Sequence, residues 1–246
     1  MLKPSCRLCL GLSIAILPAL AAAEAPSVKP VEKGLAVESS ELGKFLLEYP
    51  ALQEGGKDIK ASQATITDAK ADVTYPNGAK LDVTVKNGVV SMVFSDVPAG
   101  VKNMVLNMLI PLSLSGKAQW AMDAGEPAAF PKEHGKDMLY QGNAKVFKLL
   151  DESGKGLAIE IPYGYQQIQD NRAWNWTTFQ WRTITAMPRA VEGKAYYTLH
   201  VKDPAAKSAE PAKSAPTAQT ETPTQPTPLK LHLSKKGLHL VRSQML

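Results

Sequence analysis

Residues 73–94 read VTYPNGAKLDVTVKNGVVSMVF. Val73–Tyr75 and Leu81–Val85 flank the turn residues Pro76, Asn77 and Gly78. Leu81, Val83 and Val85 alternate with Asp82 and Thr84, the period of a strand with one apolar face. Asn87-Gly88, the strongest short hairpin signal, leads into the next run, Val89–Phe94. The pattern repeats outward. Val97-Pro98-Ala99-Gly100 is another turn. Val105–Ile110 is apolar except for Asn107 and is expected to be a strand buried on both faces, ended or placed near an edge by Pro111. Phe147–Leu150 and Leu157–Ile161 bracket the hairpin turn Asp151-Glu152-Ser153-Gly154, and Thr177–Thr185 and Tyr196–Val201 add two strands. Helix could be imposed on Lys44–Leu47 or Asn103–Leu109 only against the neighbouring turns. Short strands with turns about every ten residues predict an all-β fold, a single antiparallel β-sandwich of jelly-roll type. A faint echo joins the Tyr49-Pro50 and Tyr75-Pro76 segments.

The domain is expected over residues 42–201, with a polar lead-in at 24–41. Residues 1–23 read as a secretory signal peptide: Lys3 and Arg7, an apolar run from Leu8 to Leu20, then Ala21-Ala22-Ala23 before Glu24. That run falls short of the ~20 residues a membrane span needs. Cys6 and Cys9 are the chain's two cysteines, so a cleaved chain keeps none, and disulfides and thiol chemistry are excluded. The expected location is secreted or periplasmic, in a bacterial envelope. Residues 202–228 are rich in Pro, Ala and Lys and read as a disordered linker. Residues 229–246 form a short basic tail, read as a frayed end, the alternative being an amphipathic contact for a membrane surface or an envelope partner.

The chain carries 28 Lys+Arg against 23 Asp+Glu. Two of the basic residues lie in the signal-like segment, and seven, against three acidic, lie from residue 202 onward. The stretch 24–201 keeps 19 basic and 20 acidic residues and is close to neutral. Nucleic acid is therefore not an expected partner. There is no Gly-rich phosphate loop, no G-x-S-x-G elbow and no metal-ligand motif. No cofactor is expected, although Asp151 and Glu152 leave a structural Ca²⁺ open.

Chemistry concentrates in residues 163–181. Tyr163, Tyr165, Trp174, Trp176, Phe179 and Trp181 are six of the chain's sixteen aromatics. Gln166, Gln167, Gln169, Asp170, Asn171, Arg172, Asn175 and Gln180 are threaded among them. Sugar rings stack their C–H patches on aromatic faces, and their hydroxyls suit amides, carboxylates and guanidinium. In one continuous strand Trp174, Trp176 and Gln180 would share a face opposite Phe179 and Trp181. We expect the first face to be exposed and the second to be core. Trp174 and Trp176 are then the stacking residues. Gln167, Asp170, Asn171, Arg172 and Gln180 are the hydrogen-bonding ones, and Tyr163 and Tyr165 flank the groove. The structural alternative puts every tryptophan in the core. A catalytic alternative, a polysaccharide lyase, takes Arg172 to neutralise a uronate and His134 or Tyr140, in a polar loop after Pro131, to move the proton. A glycosidase pair of Glu160 and Asp170 is a further option.

With these strands, the signal and the run from Tyr163 to Trp176, residues 42–201 resemble extracytoplasmic bacterial jelly-roll domains that bind or cleave polysaccharide. The resemblance is one of fold and composition. It implies a polysaccharide or oligosaccharide partner, and no family residues are carried over. The leading expectation is a carbohydrate-binding sandwich without catalysis, the alternatives being a lyase or glycosidase of the same fold and an envelope interaction module.

Overall fold

A computed structural model describes residues 25–206, together with 233–234 and 237–238. In chain order the strands are β1 (Ser27–Val31), β2 (Gly34–Ser39), β3 (Gly43–Glu48), β4 (Ala51–Glu54), β5 (Lys57–Ile59), β6 (Gln63–Thr67), β7 (Lys70–Thr74), β8 (Lys80–Lys86), β9 (Val89–Ser95), β10 (Val101–Pro111), β11 (Ala118–Met122), β12 (Ala128–Ala129), β13 (Met138–Asp151), β14 (Gly156–Asp170), β15 (Thr178–Ala186) and β16 (Lys194–Lys202). The helical pieces among the described residues are two 3₁₀ turns, Leu112–Leu114 and Asn171–Trp174.

All sixteen strands join one antiparallel sheet, whose main path runs β1-β2-β3-β10-β15-β14-β16-β9-β8-β7-β6. Its two ends meet, β1 touching β6, β7 and β8, so the sheet wraps into a nearly closed sandwich. The chain is thus all-β, as the alternating runs predict. The Asn87-Gly88 hairpin sets Lys86 opposite Val89, and Val83 opposite Met92.

Strands β13 and β14 pair from Met138–Gln169 to Leu150–Gly156 and belong to both layers. One end of β14 pairs with β15, the other with β16. The corner falls at Pro162-Tyr163-Gly164, where the register slips between Ala144 and Val146. A β-carbon at Gly164 would collide with Thr183 Oγ1, so only glycine fits.

Between the layers lies one apolar core. Met104, Leu106, Met108 and Ile110 of β10 meet Phe179 and Trp181 of β15, and Phe147 stacks on Trp181 at 5.0 Å. Trp181 donates its indole N–H to buried Gln166, which in turn donates to Ala144 O. Val105 and Asn107 are also buried, so β10 is covered on both faces through its middle, while Leu109 on the outer face is exposed; the strand ends at Pro111. The Tyr-Pro echo has a physical counterpart, for Tyr75 Oη donates to Pro50 O at 2.7 Å. Burial also pushes the Tyr49 hydroxyl up to about 12.

Two sequence readings are corrected here. Residues 24–41 are not a lead-in: Val28 packs on the core, Leu35 and Val37 are inside it, and both strands alternate, a period masked by the short runs and the polar turn between them. Among the described residues the strands of the large sheet run from Ser27 to Lys202. Tyr140 does not sit in a polar loop, because β13 already starts at Met138. The signal-peptide reading of 1–23 lies outside the described residues. So do the readings of the linker and basic tail, apart from 202–206 and a small hairpin of Leu233–Ser234 with Gly237–Leu238.

Candidate functional site

The densest chemistry stands at the end of the β14–β15 hairpin. Asp170, the last residue of β14, caps the turn by accepting from Arg172 N at 3.2 Å. Asn175 then takes the left-handed conformation at φ 61°, which asparagine tolerates better than most residues. Trp176 N closes the turn on Asn171 O at 3.1 Å.

The first half of this turn is fully engaged. Arg172 Nε donates to Asp170 Oδ1 at 2.9 Å and Nη2 to Asp170 Oδ2 at 2.6 Å, a two-pronged clamp. Its other bonds go to Pro131 O and Lys132 O, at 3.0 and 2.7 Å, and its guanidinium lies over the Phe179 ring. Asp170 has no exposed surface. Burial alone would raise its carboxyl, but the hydrogen bonds and charge of Arg172 outweigh that and hold it below the usual carboxylate value. Asn171 is buried too, donating to Thr178 Oγ1 and Gln180 Oε1 at 3.3 and 3.5 Å. Asp170, Asn171 and Arg172 therefore brace the turn, where sequence reasoning assigned them to the ligand.

The second half is open. Trp174 is 54% and Trp176 55% exposed, while Phe179 and Trp181 are buried. The division matches the expectation for a different reason. Trp174 ends a 3₁₀ turn and Trp176 precedes β15, so no continuous strand sets their direction. Tyr163 and Tyr165 are exposed on β14, and Tyr165 Oη donates to Gln141 at 3.3 Å.

Next to the turn lies a polar sheet face. The register sets Asn103, Val105, Asn107 and Leu109 of β10 beside Ala186, Ile184, Arg182 and Gln180 of β15, with Gln167 and Gln169 of β14 beyond. Gln180 Nε2 donates to Asn107 Oδ1 at 2.8 Å, and Asn107 Nδ2 to Glu48 Oε2 at 3.4 Å. Asn103 donates to Gln53 at 3.0 Å and Gln53 to Asp58 at 3.2 Å. Arg182 crosses to Asp58 at 2.9 Å. Of these residues the sequence reading singled out Gln167, Gln169 and Gln180. Asn107 was visible as the one polar residue in Val105–Ile110, but its partners come from strands far away in the chain.

The catalytic candidates are each engaged with other groups, although His134 lies near enough to Asp170, beside the Arg172 clamp, to help lower its carboxyl. Arg172 has its guanidinium bound to Asp170 and two carbonyls. His134 pairs with Asp137 at 3.0 Å on an exposed loop. Tyr140 packs on Trp120 at 5.6 Å, and burial raises its hydroxyl, which makes it a poorer base partner. Glu160 is ion-paired with Lys202. It lies ten residues from Asp170 on β14, up to about 33 Å of strand against the ~5–10 Å of glycosidase pairs. Asp151 uses its carboxylate on Ser153 and Lys155 of its own turn.

No protein-family model matches the chain, and no curated protein does. Among solved structures it is similar to a GH31 family sulfoquinovosidase from E. rectale, in complex with an aza-sugar inhibitor. The match has 8% identity and a TM-score of 0.32, and covers 71% of this chain and 32% of that one. The chain thus spans about a third of that protein's length.

Proposed function

We propose that the protein binds carbohydrate without catalysing a reaction, stacking sugar rings on Trp174 and Trp176. One observation carries this reading: two tryptophans more than half exposed, on a turn braced from beneath, beside a sheet face rich in amides. Exposing that much aromatic surface is unfavourable in water, so a fixed exposed pair favours a ligand that covers it. Tyr163, Tyr165, Gln167 and Gln180 flank it. With residues 1–23 acting as an export signal, the protein works in the periplasm or outside the cell. Retention on immobilised polysaccharides tests the reading. Wild type is expected to be retarded by at least one glycan, and Trp174→Ala to lose that retardation while keeping its thermal midpoint. A fold that melts on Trp174→Ala, with blank glycan arrays for wild type, ends it.

A further inference from the structure

The chain holds two Asn-Gly pairs, Asn77-Gly78 and Asn87-Gly88. Such a pair has a chemistry of its own. The backbone nitrogen of the glycine can attack the asparagine side-chain carbonyl carbon, because glycine has no β-carbon to stand in the way. The N–Cγ bond forms, the side-chain nitrogen leaves as ammonia, and a cyclic imide remains. Water then opens the imide at either carbonyl, giving aspartate or isoaspartate. Asparagine and one water become the acid and one ammonia, with no change of oxidation state.

The two pairs differ in how freely their atoms can meet. At the first, Gly78 N donates to Tyr75 O at 3.0 Å, so the nucleophile is engaged. Asn77 Oδ1 accepts from Ala79 N at 3.4 Å, and Asn77 Nδ2 is enclosed without a partner. At the second, β8 ends at Lys86 and β9 starts at Val89, directly opposite, so Asn87 and Gly88 are the whole loop. Both are left-handed, with φ of 50° and 75°, as the tight hairpin turn requires. Asn87 is exposed. Among the described residues neither Gly88 N nor the Asn87 amide makes a hydrogen bond.

Packing keeps this reactive pair in place. A β-carbon at Gly88 would collide with Val201 O, so the position admits only glycine. Gly88 O accepts from Val201 N at 2.7 Å, which ties the turn to the end of β16. The turn also lines a cavity of about 630 Å³, whose wall holds Lys29, Asp68, Lys202 and Asp203. Isoaspartate carries the main chain through its β-carbon. It would lengthen a two-residue loop whose length sets the register of the hairpin.

We infer that Asn87 is a site of spontaneous modification in the folded protein. It converts to aspartate and isoaspartate while Asn77 is spared, and the isoaspartyl form has a loosened β8–β9 hairpin. This does not depend on the carbohydrate reading.

The test ages the full chain in mildly alkaline buffer, once folded and once in urea, and follows both Asn-Gly peptides by mass spectrometry. In the folded chain Asn87 should convert on the order of tenfold faster than Asn77, because Gly78 N–H must first give up its bond. In urea the two should convert at similar rates. Asn77 keeping pace with Asn87 in the folded chain, or Asn87 staying intact there while both convert in urea, overturns the site. The hairpin effect is read from thermal midpoints. Asn87→Asp adds the charge without the extra backbone atom and should melt with the wild type, whereas the isoaspartyl fraction should melt lower. An isoaspartyl fraction that melts no lower than Asn87→Asp overturns the loosened hairpin.

Discussion

The seven residues from Asp170 to Trp176 divide into two halves with opposite surroundings. Arg172 is bonded to Asp170 and to the Pro131–Lys132 backbone, and Asn171 to the start of β15. Trp174 and Trp176, two to four residues later, are more than half exposed. By residue type alone the charged half belongs in water and the aromatic half inside. The inversion shows the order of dependence. A short turn can hold two bulky apolar side chains in solvent only if its own backbone is fixed, and the buried ion pair fixes it.

Substitutions can break that comparison at known points. The largest effect is expected at Trp181, the buried tryptophan of the same segment. Trp181→Ala should cost about 3–5 kcal/mol and orphan Gln166 Oε1, read as a drop in the urea midpoint. Arg172→Ala comes next. It leaves the Asp170 carboxylate buried without its partner, at a cost of about 3 kcal/mol, and should also weaken glycan retention because the turn loses its brace. The same pair has a pH signature. Asp170 titrates lower in the folded than in the unfolded chain, so its contribution is full above the unfolded carboxylate value and is lost as pH falls through the folded one. Urea melts from neutral pH downward should show that loss, and Asp170→Asn should flatten it. A slope unchanged in Asp170→Asn assigns the acid sensitivity elsewhere. Asn175→Ala should cost about 1 kcal/mol, the strain of a left-handed residue, with Asn175→Gly near neutral. Trp174→Ala sits at the other extreme, within about 0.5 kcal/mol in stability, yet weakening glycan retention by about 1–3 kcal/mol.

The strands were legible where a period of two met a turn signal, as in Leu81–Val85 and Val89–Phe94. They were missed where runs were short and polar, as in Ser27–Val31. The aromatic cluster was legible as composition, and its split into buried and exposed pairs came out as expected. Roles within it were not legible, because Arg172 offers the same donors to a ligand as to Asp170 and the carbonyls of Pro131 and Lys132. Only the fold brings residues 131 and 172 together. Asn107 and Glu48 escaped for the same reason: a hydrogen bond between strands distant in the chain leaves no local pattern.

The polar face has one further consequence, which lies in time. Asn107 is 73 residues from Gln180 and 50 residues separate Asn103 from Gln53, so none of these contacts can form by local closure. Pairings of such span are made slowly and late. The Gln180–Asn107 bond requires β15 to be docked on β10, two strands far apart in the chain. A ligand bound there meets only the folded chain, so at saturation it should delay unfolding of the entire domain.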